Sequence, residues 1–162
     1  MFLLGGATAS VTQGKQTAEQ LLRSGKALER FGQMVALQGG DSSVIDHPRR
    51  LPQAEHKLDV LSSRSGCVMK IDCEAVGIAC VVLGGGREKK EDSVDPSVGL
   101  ALHKKVGDSV VAGEPLCAIH YNSEARAARA KTLIEASYQI GDTPPTKRPI
   151  IHRVIGKSGD KN

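Results

Sequence analysis

The stretch from Gly84 to Pro115, GGGREKKEDSVDPSVGLALHKKVGDSVVAGEP, constrains this chain more than any other. Three consecutive glycines, Gly84 to Gly86, disfavour further helix, because each costs about 0.5–1 kcal/mol relative to Ala inside a regular element. They end the apolar helical run that precedes them and lead into Arg87. A charged loop follows, Glu88 to Asp92, and then Val94-Asp95-Pro96. Beyond it, Val98 to His103 reads as a strand, then Val110-Val111, then Leu116 to His120. Two compact turns, Val106-Gly107-Asp108 and Ala112-Gly113-Glu114-Pro115, separate these runs, which predicts short antiparallel strands.

The flanking segments complete the pattern. Cys67 to Ile71 reads as a strand, and Asp72 as the N-cap of a helix from Cys73 to Leu83 with Val76, Ala79, Cys80 and Leu83 inward. Asn122 or Ser123 caps a last helix, Glu124 to Ala136, whose buried face is Ala127, Ala130, Leu133 and Ile134. Tyr138-Gln139-Ile140 reads as a closing strand and Thr143-Pro144-Pro145 as the domain's end. Upstream, Ser10 and Gln13 fit a capping box for a helix running to Arg23. After the break at Ser24-Gly25, a second helix carries Ala27, Leu28, Phe31, Met34 and Val35 on one face, and Gly39-Gly40 stops it. Two short helices with an apolar stripe need a partner surface. They are expected to belong to a larger body upstream and, without it, to show an exposed apolar patch. The prediction is an α+β chain: a helical hairpin over 1–40, an ordered proline-marked linker over 41–57, a compact α+β domain over 58–141 and a basic tail over 142–162.

Composition narrows the function classes. Aromatics are scarce (Phe2, Phe31, Tyr121, Tyr138 and no Trp), so there is little surface on which to stack bases. The net charge of +4 is concentrated in the tail, where Lys147, Arg148, Arg153, Lys157 and Lys161 face Asp142 and Asp160; 17 basic against 16 acidic residues remain upstream. The expectation is no nucleic-acid partner. Four cysteines, at 67, 73, 80 and 117, form no C-x-x-C pair and read as reduced thiols. No run reaches the length of a membrane span, and Met1-Phe2-Leu3-Leu4-Gly5-Gly6 lacks the features of a secretory leader, so a cytoplasmic chain without a membrane partner is expected.

Motifs that could carry a reaction are missing. Gly84-Gly85-Gly86 follows a helix and meets Lys89 where a dinucleotide loop needs glycine. Gly156-Lys157-Ser158 ends like a Walker motif, but Ile151 stands at its required glycine. Histidines 47, 56, 103, 120 and 152 are scattered without ligand spacing and read as surface or packing residues. The pairs Glu91/Asp92 and Asp92/Asp95 lack the oxygen-rich alternation of a calcium loop. Arg87 is expected to fix the loop by pairing with Asp92 or Asp95. No catalytic, cofactor-binding or metal-ligating residue is assigned, and no cofactor is expected.

The order and spacing of Gly84 to Pro115 resemble the C-terminal domain of thymidine and pyrimidine-nucleoside phosphorylases, and Ser65-Gly66-Cys67-Val68-Met69-Lys70-Ile71-Asp72 resembles the strand that opens it. Phe2-Leu3-Leu4-Gly5-Gly6, and Gly25-Lys26-Ala27-Leu28-Glu29-Arg30-Phe31 through Gln38-Gly39-Gly40-Asp41, resemble the end of the preceding α/β domain. The resemblance implies an α/β-hammerhead fold, a pentosyltransferase that performs reversible phosphorolysis, a pyrimidine nucleoside and phosphate as partners, and a homodimer formed through an N-terminal helical domain. That family's phosphate- and base-binding motifs match no position here, so Met1 reads as an internal methionine and the isolated chain is expected to be inactive. The Gly84 to Pro96 loop is then the expected moving contact on one wall of a closing cleft, tested by replacing Arg87 and Glu88; turnover by the isolated chain would instead make Arg87, His103 and residues 88–95 the first to mutate. A second resemblance joins Val106 to Leu116 to biotinyl and lipoyl carrier domains. It leaves open a stand-alone binding module, although no modifiable lysine follows the pattern and Met69-Lys70 precedes it.

Overall fold

The computed structural model describes residues 1–146 together with Pro149 and Ile151. The chain divides into two compact units, Met1–Leu51 and the segment from Pro52 onward. The basic tail from Lys147, His152 and Gly156-Lys157-Ser158 fall, apart from Pro149 and Ile151, outside the described residues.

The first unit is a helical hairpin. Helix α1 spans Val11–Arg23. Ser10 Oγ accepts from the Gln13 amide at 3.2 Å, and Gln13 Oε1 accepts from the Ala9 amide at 2.9 Å. The capping residues are those expected, with the return bond reaching one residue further back than in the usual box. Gly25, at φ 77°, makes the break, and α2 spans Lys26–Leu37. Neither helix buries a residue, and Leu28, Phe31 and Met34 of the expected apolar stripe are 55%, 48% and 45% exposed. After α2 come two 3-10 turns, Ser42–Val44 and Pro48–Arg50. They are tied by an Arg50–Asp41 ion pair at 3.1 Å and by Arg50 donating to Ser43 Oγ.

The second unit holds two antiparallel three-stranded sheets. Its elements are β1 His56–Leu61, β2 Gly66–Ile71, α3 Cys73–Cys80, β3 Gly99–Leu102, β4 Ser109–Val110, β5 Pro115–Tyr121, α4 Glu124–Ser137 and β6 Tyr138–Gly141. One sheet runs β1-β5-β3 and the other β4-β2-β6. The α+β architecture, the antiparallel strands and both helices are those expected from sequence; β1 is an addition. As the central strand of its sheet, β5 is an unbroken apolar run, with Leu116 to Ile119 buried on both faces. By contrast β1 lies at an edge and buries fully only Val60, so its exposed His56, Lys57 and Leu61 hide the pattern.

Helices α3 and α4 pack on each other. Asp72 caps α3 by accepting from the Glu74 and Ala75 amides, and Ser123 rather than Asn122 caps α4. Ala127, Ala130 and Ile134 give α4 a buried face of mostly small side chains, and Ala79 of α3 is likewise fully buried. Burying a side chain such as Ile134 or Val60 contributes about 1.5–3 kcal/mol. The two sheets are joined by Tyr138 of β6, whose single hydroxyl proton is shared between the carbonyls of Lys104 at 3.2 Å and Leu116 at 3.4 Å. Burial pushes the Tyr138 phenol up to about 12 and the Cys117 thiol up to about 11, so Cys117 is an inert core thiol. All four cysteines are free; Cys67 is also buried, Cys80 is half-buried and Cys73 is exposed. Among the described residues no helix is long and apolar enough to cross a membrane.

Candidate functional site

The Gly84 to Pro96 segment is a loop with a tied neck and a charged tip. After Cys80 the helix widens through one turn, Val81–Gly85, and ends where Gly84 takes φ 105°. That value falls where an L side chain is strained. A Cβ on Gly84 would stand 2.8 Å from Arg126 Nη1, one on Gly85 2.9 Å from Cys80 Sγ, and one on Gly86 2.8 Å from Val81 Cγ2. The triple glycine therefore serves close packing as well as the turn.

The Asp95 amide donates to the Gly84 carbonyl at 2.9 Å and closes the neck. Asp95 Oδ1 accepts from the Ser97 amide at 2.9 Å and from Ser97 Oγ at 2.6 Å. Its Oδ2 accepts from Asn122 Nδ2 at 2.8 Å. The Ser97 hydroxyl first, then the Ser97 amide and Asn122, hold the Asp95 carboxyl below its usual range, since all stabilise its charged form. Within the tip, Asp92 Oδ2 accepts from the Glu88 and Lys89 amides at 3.0 and 2.9 Å.

These bonds correct one expectation. Arg87 makes no ion pair with Asp92 or Asp95; it is exposed, and both carboxylates accept hydrogen bonds from nearer groups. Short-range N–H donors win because they bond with little loss of side-chain entropy. The guanidinium beside the neck is that of Arg126 on α4. Glu88, Lys89, Lys90 and Glu91 are exposed at the tip, and His103 is exposed just after β3. Lys70 lies inside β2, one residue past a bulge at Met69, instead of on a hairpin turn where a carrier domain presents its lysine.

Away from this loop, a concavity of about 950 Å³ is lined by residues 69–71, 106–108 and 144–146. Its charged side chains are Lys70 and Asp108, and Asp108 Oδ2 already accepts from the Lys105 amide at 2.7 Å. Convergent polar groups of the kind that orient a small ligand are lacking there among the described residues.

Residues 67–141, from β2 to the end of β6, match the family described as the pyrimidine nucleoside phosphorylase C-terminal domain. The chain corresponds to the C-terminal portion of the thymidine and pyrimidine-nucleoside phosphorylases. Thymidine phosphorylase of Burkholderia cenocepacia is 42% identical to it over 150 residues, 90% of this chain and 34% of the relative. Pyrimidine-nucleoside phosphorylase of Staphylococcus aureus is 38% identical over 157 residues, 96% of this chain and 35% of the relative. That of Bacillus subtilis is 41% identical over 124 residues, 76% of this chain and 29% of the relative. The chain thus spans about a third of the length of the curated phosphorylases it matches.

Proposed function

We propose that this chain serves as the C-terminal part of a phosphorylase that cleaves thymidine or a related pyrimidine nucleoside. In that reaction phosphate attacks the anomeric carbon, the glycosidic bond breaks, and a sugar 1-phosphate and free base result. The observation that carries the reading is the 42% identity to a thymidine phosphorylase over 90% of this chain. Such catalysis rests on positioning the reactants and stabilising developing charge. No residue here matches the family's phosphate- or base-holding groups, so this portion supplies one wall of a cleft that closes on the substrates. The 84–96 loop is its contact with them, supported by the exposed charges at 87–91 on a neck tied by Asp95. Dimerisation belongs to an N-terminal helical domain of such an enzyme, and these 162 residues alone are inactive.

Two assays test the reading. The purified 162-residue chain, given thymidine or uridine with phosphate, should release no free base; turnover would overturn the assignment of catalysis to other parts. A chimera of the Burkholderia enzyme carrying this chain as its C-terminal third should turn over thymidine. In that chimera Arg87→Ala with Glu88→Ala should lower kcat/KM, and unchanged kinetics would remove the loop from the cleft.

A further inference from the structure

We infer that Asn122 is the positioning residue of the 84–95 loop: its amide clamps the neck to the chain entering β1, so the charged tip rides as a fixed projection and does not swing on its glycines. The inference rests on the proposed function only in giving the tip a substrate-facing task. Asn122 joins three segments remote in sequence. Its Nδ2 donates to Asp95 Oδ2 at 2.8 Å and to Ser97 Oγ at 2.9 Å, and its Oδ1 accepts from the Glu55 amide at 2.8 Å. A primary amide is neutral and carries both a donor and an acceptor on one planar head, so it can hold a carboxylate and a backbone N–H at once.

The platform beneath Asn122 is firm. Tyr121 before it is buried and donates its hydroxyl to Glu124 Oε1 at 2.9 Å, and Ser123 after it caps α4. On the loop side, the bond from the Asp95 amide to the Gly84 carbonyl ties both ends of the loop together. A hold on Asp95 is therefore a hold on the whole neck. Gly85 and Gly86 lie too close to Cys80 and Val81 for a Cβ, so swinging there would break packing. Any closure must then carry the tip along with the β-rich unit.

Backbone hydrogen exchange on the 162-residue chain tests this without any activity. In Asn122→Ala, protection of the Asp95 and Ser97 amides should fall by about tenfold or more, since each lost hydrogen bond is worth roughly three- to tenfold in an opening equilibrium. Trypsin should cut faster after Arg87, Lys89 and Lys90, while the amides of β5 and the Tm stay put. Loop amides that exchange as in the wild type would overturn the clamp. If the Ala variant loses its core as well, Asn122→Asp decides. That variant sets a second carboxylate against Asp95, with Arg126 and Glu124 on α4 and Glu55 before β1 as the other charged neighbours. Loop protection should fall at neutral pH and recover on acidification toward pH 4; protection that ignores pH would overturn the clamp. Because the readout is exchange and not turnover, it can fail while the phosphorylase reading stands, and the reverse holds too.

Discussion

Residues 1–51 and the unit from Pro52 are built from similarly apolar segments, yet they use them in opposite ways. The helices of the hairpin fully bury no residue, and Leu22, Leu28 and Leu37 stand 70%, 55% and 88% exposed. The second unit places Val60, Val68, Ile119 and Ile134 at no more than 1% exposure in one continuous core. An amphipathic stripe thus says that a helix has a face to bury, not that it has buried it. The second unit supplies its own partner surface, two sheets and two helices, whereas the hairpin holds its shape through caps and short-range ties.

The largest test of that contrast is truncation in each unit. Ile134→Ala should destabilise the chain by about 2–5 kcal/mol in urea unfolding, because it leaves a cavity in a closed core. Phe31→Ala, at a half-exposed position, should cost about 1 kcal/mol or less. Equal costs would dissolve the distinction. Next come two glycines with positive φ. Gly84→Ala meets both backbone strain and the Arg126 guanidinium and should cost about 1–3 kcal/mol. Gly25→Ala meets strain alone, with nothing within 4 Å, and should cost about 1 kcal/mol. A larger loss at Gly25 would place crowding in the wrong unit.

The smallest effect is one of pH. Glu114 Oε1 lies 2.6 Å from Lys104 Nζ, and Oε2 accepts from the Val111 amide. The Lys104 hydrogen bond first, then the amide, lowers its pKa from the ordinary 4.5. A carboxyl whose folded pKa is depressed stabilises the fold fully above its unfolded value and loses that contribution as pH falls through the folded one. Thermal melts should therefore hold steady above pH 4.5 on this account and decline below it, and Glu114→Gln should flatten that decline. An unaltered slope in the variant would remove the Lys104–Glu114 tie from the stability of this unit.

Much of the fold was legible because its signals are local. Ser10, Asp72 and Ser123 each cap the helix that follows, and the glycines at 39, 84, 107 and 113 all take positive φ. Strand β1 was missed because an edge strand with charged outer residues shows too little alternation after a proline-marked stretch. The loop's charge pattern was legible as well, but its anchor was not. Asn122 lies 27 residues from Asp95 and 67 from Glu55, and no spacing rule links such positions. Arg87 was assigned a partner from charge alone, and backbone amides had already claimed both candidates.

The bridge made by Tyr138 has an optical consequence. The chain contains two tyrosines and no tryptophan, and both tyrosines are buried in the β-rich unit. Near-ultraviolet absorbance and intrinsic fluorescence therefore come almost wholly from that unit, and the helical hairpin is nearly dark in them. The Tyr138 hydroxyl, seated on two carbonyls, turns the junction of the sheets into a built-in chromophoric probe. Circular dichroism in the far ultraviolet counts the helices of both units. The gap between the two traces in a single melt then separates the hairpin from the body without a label.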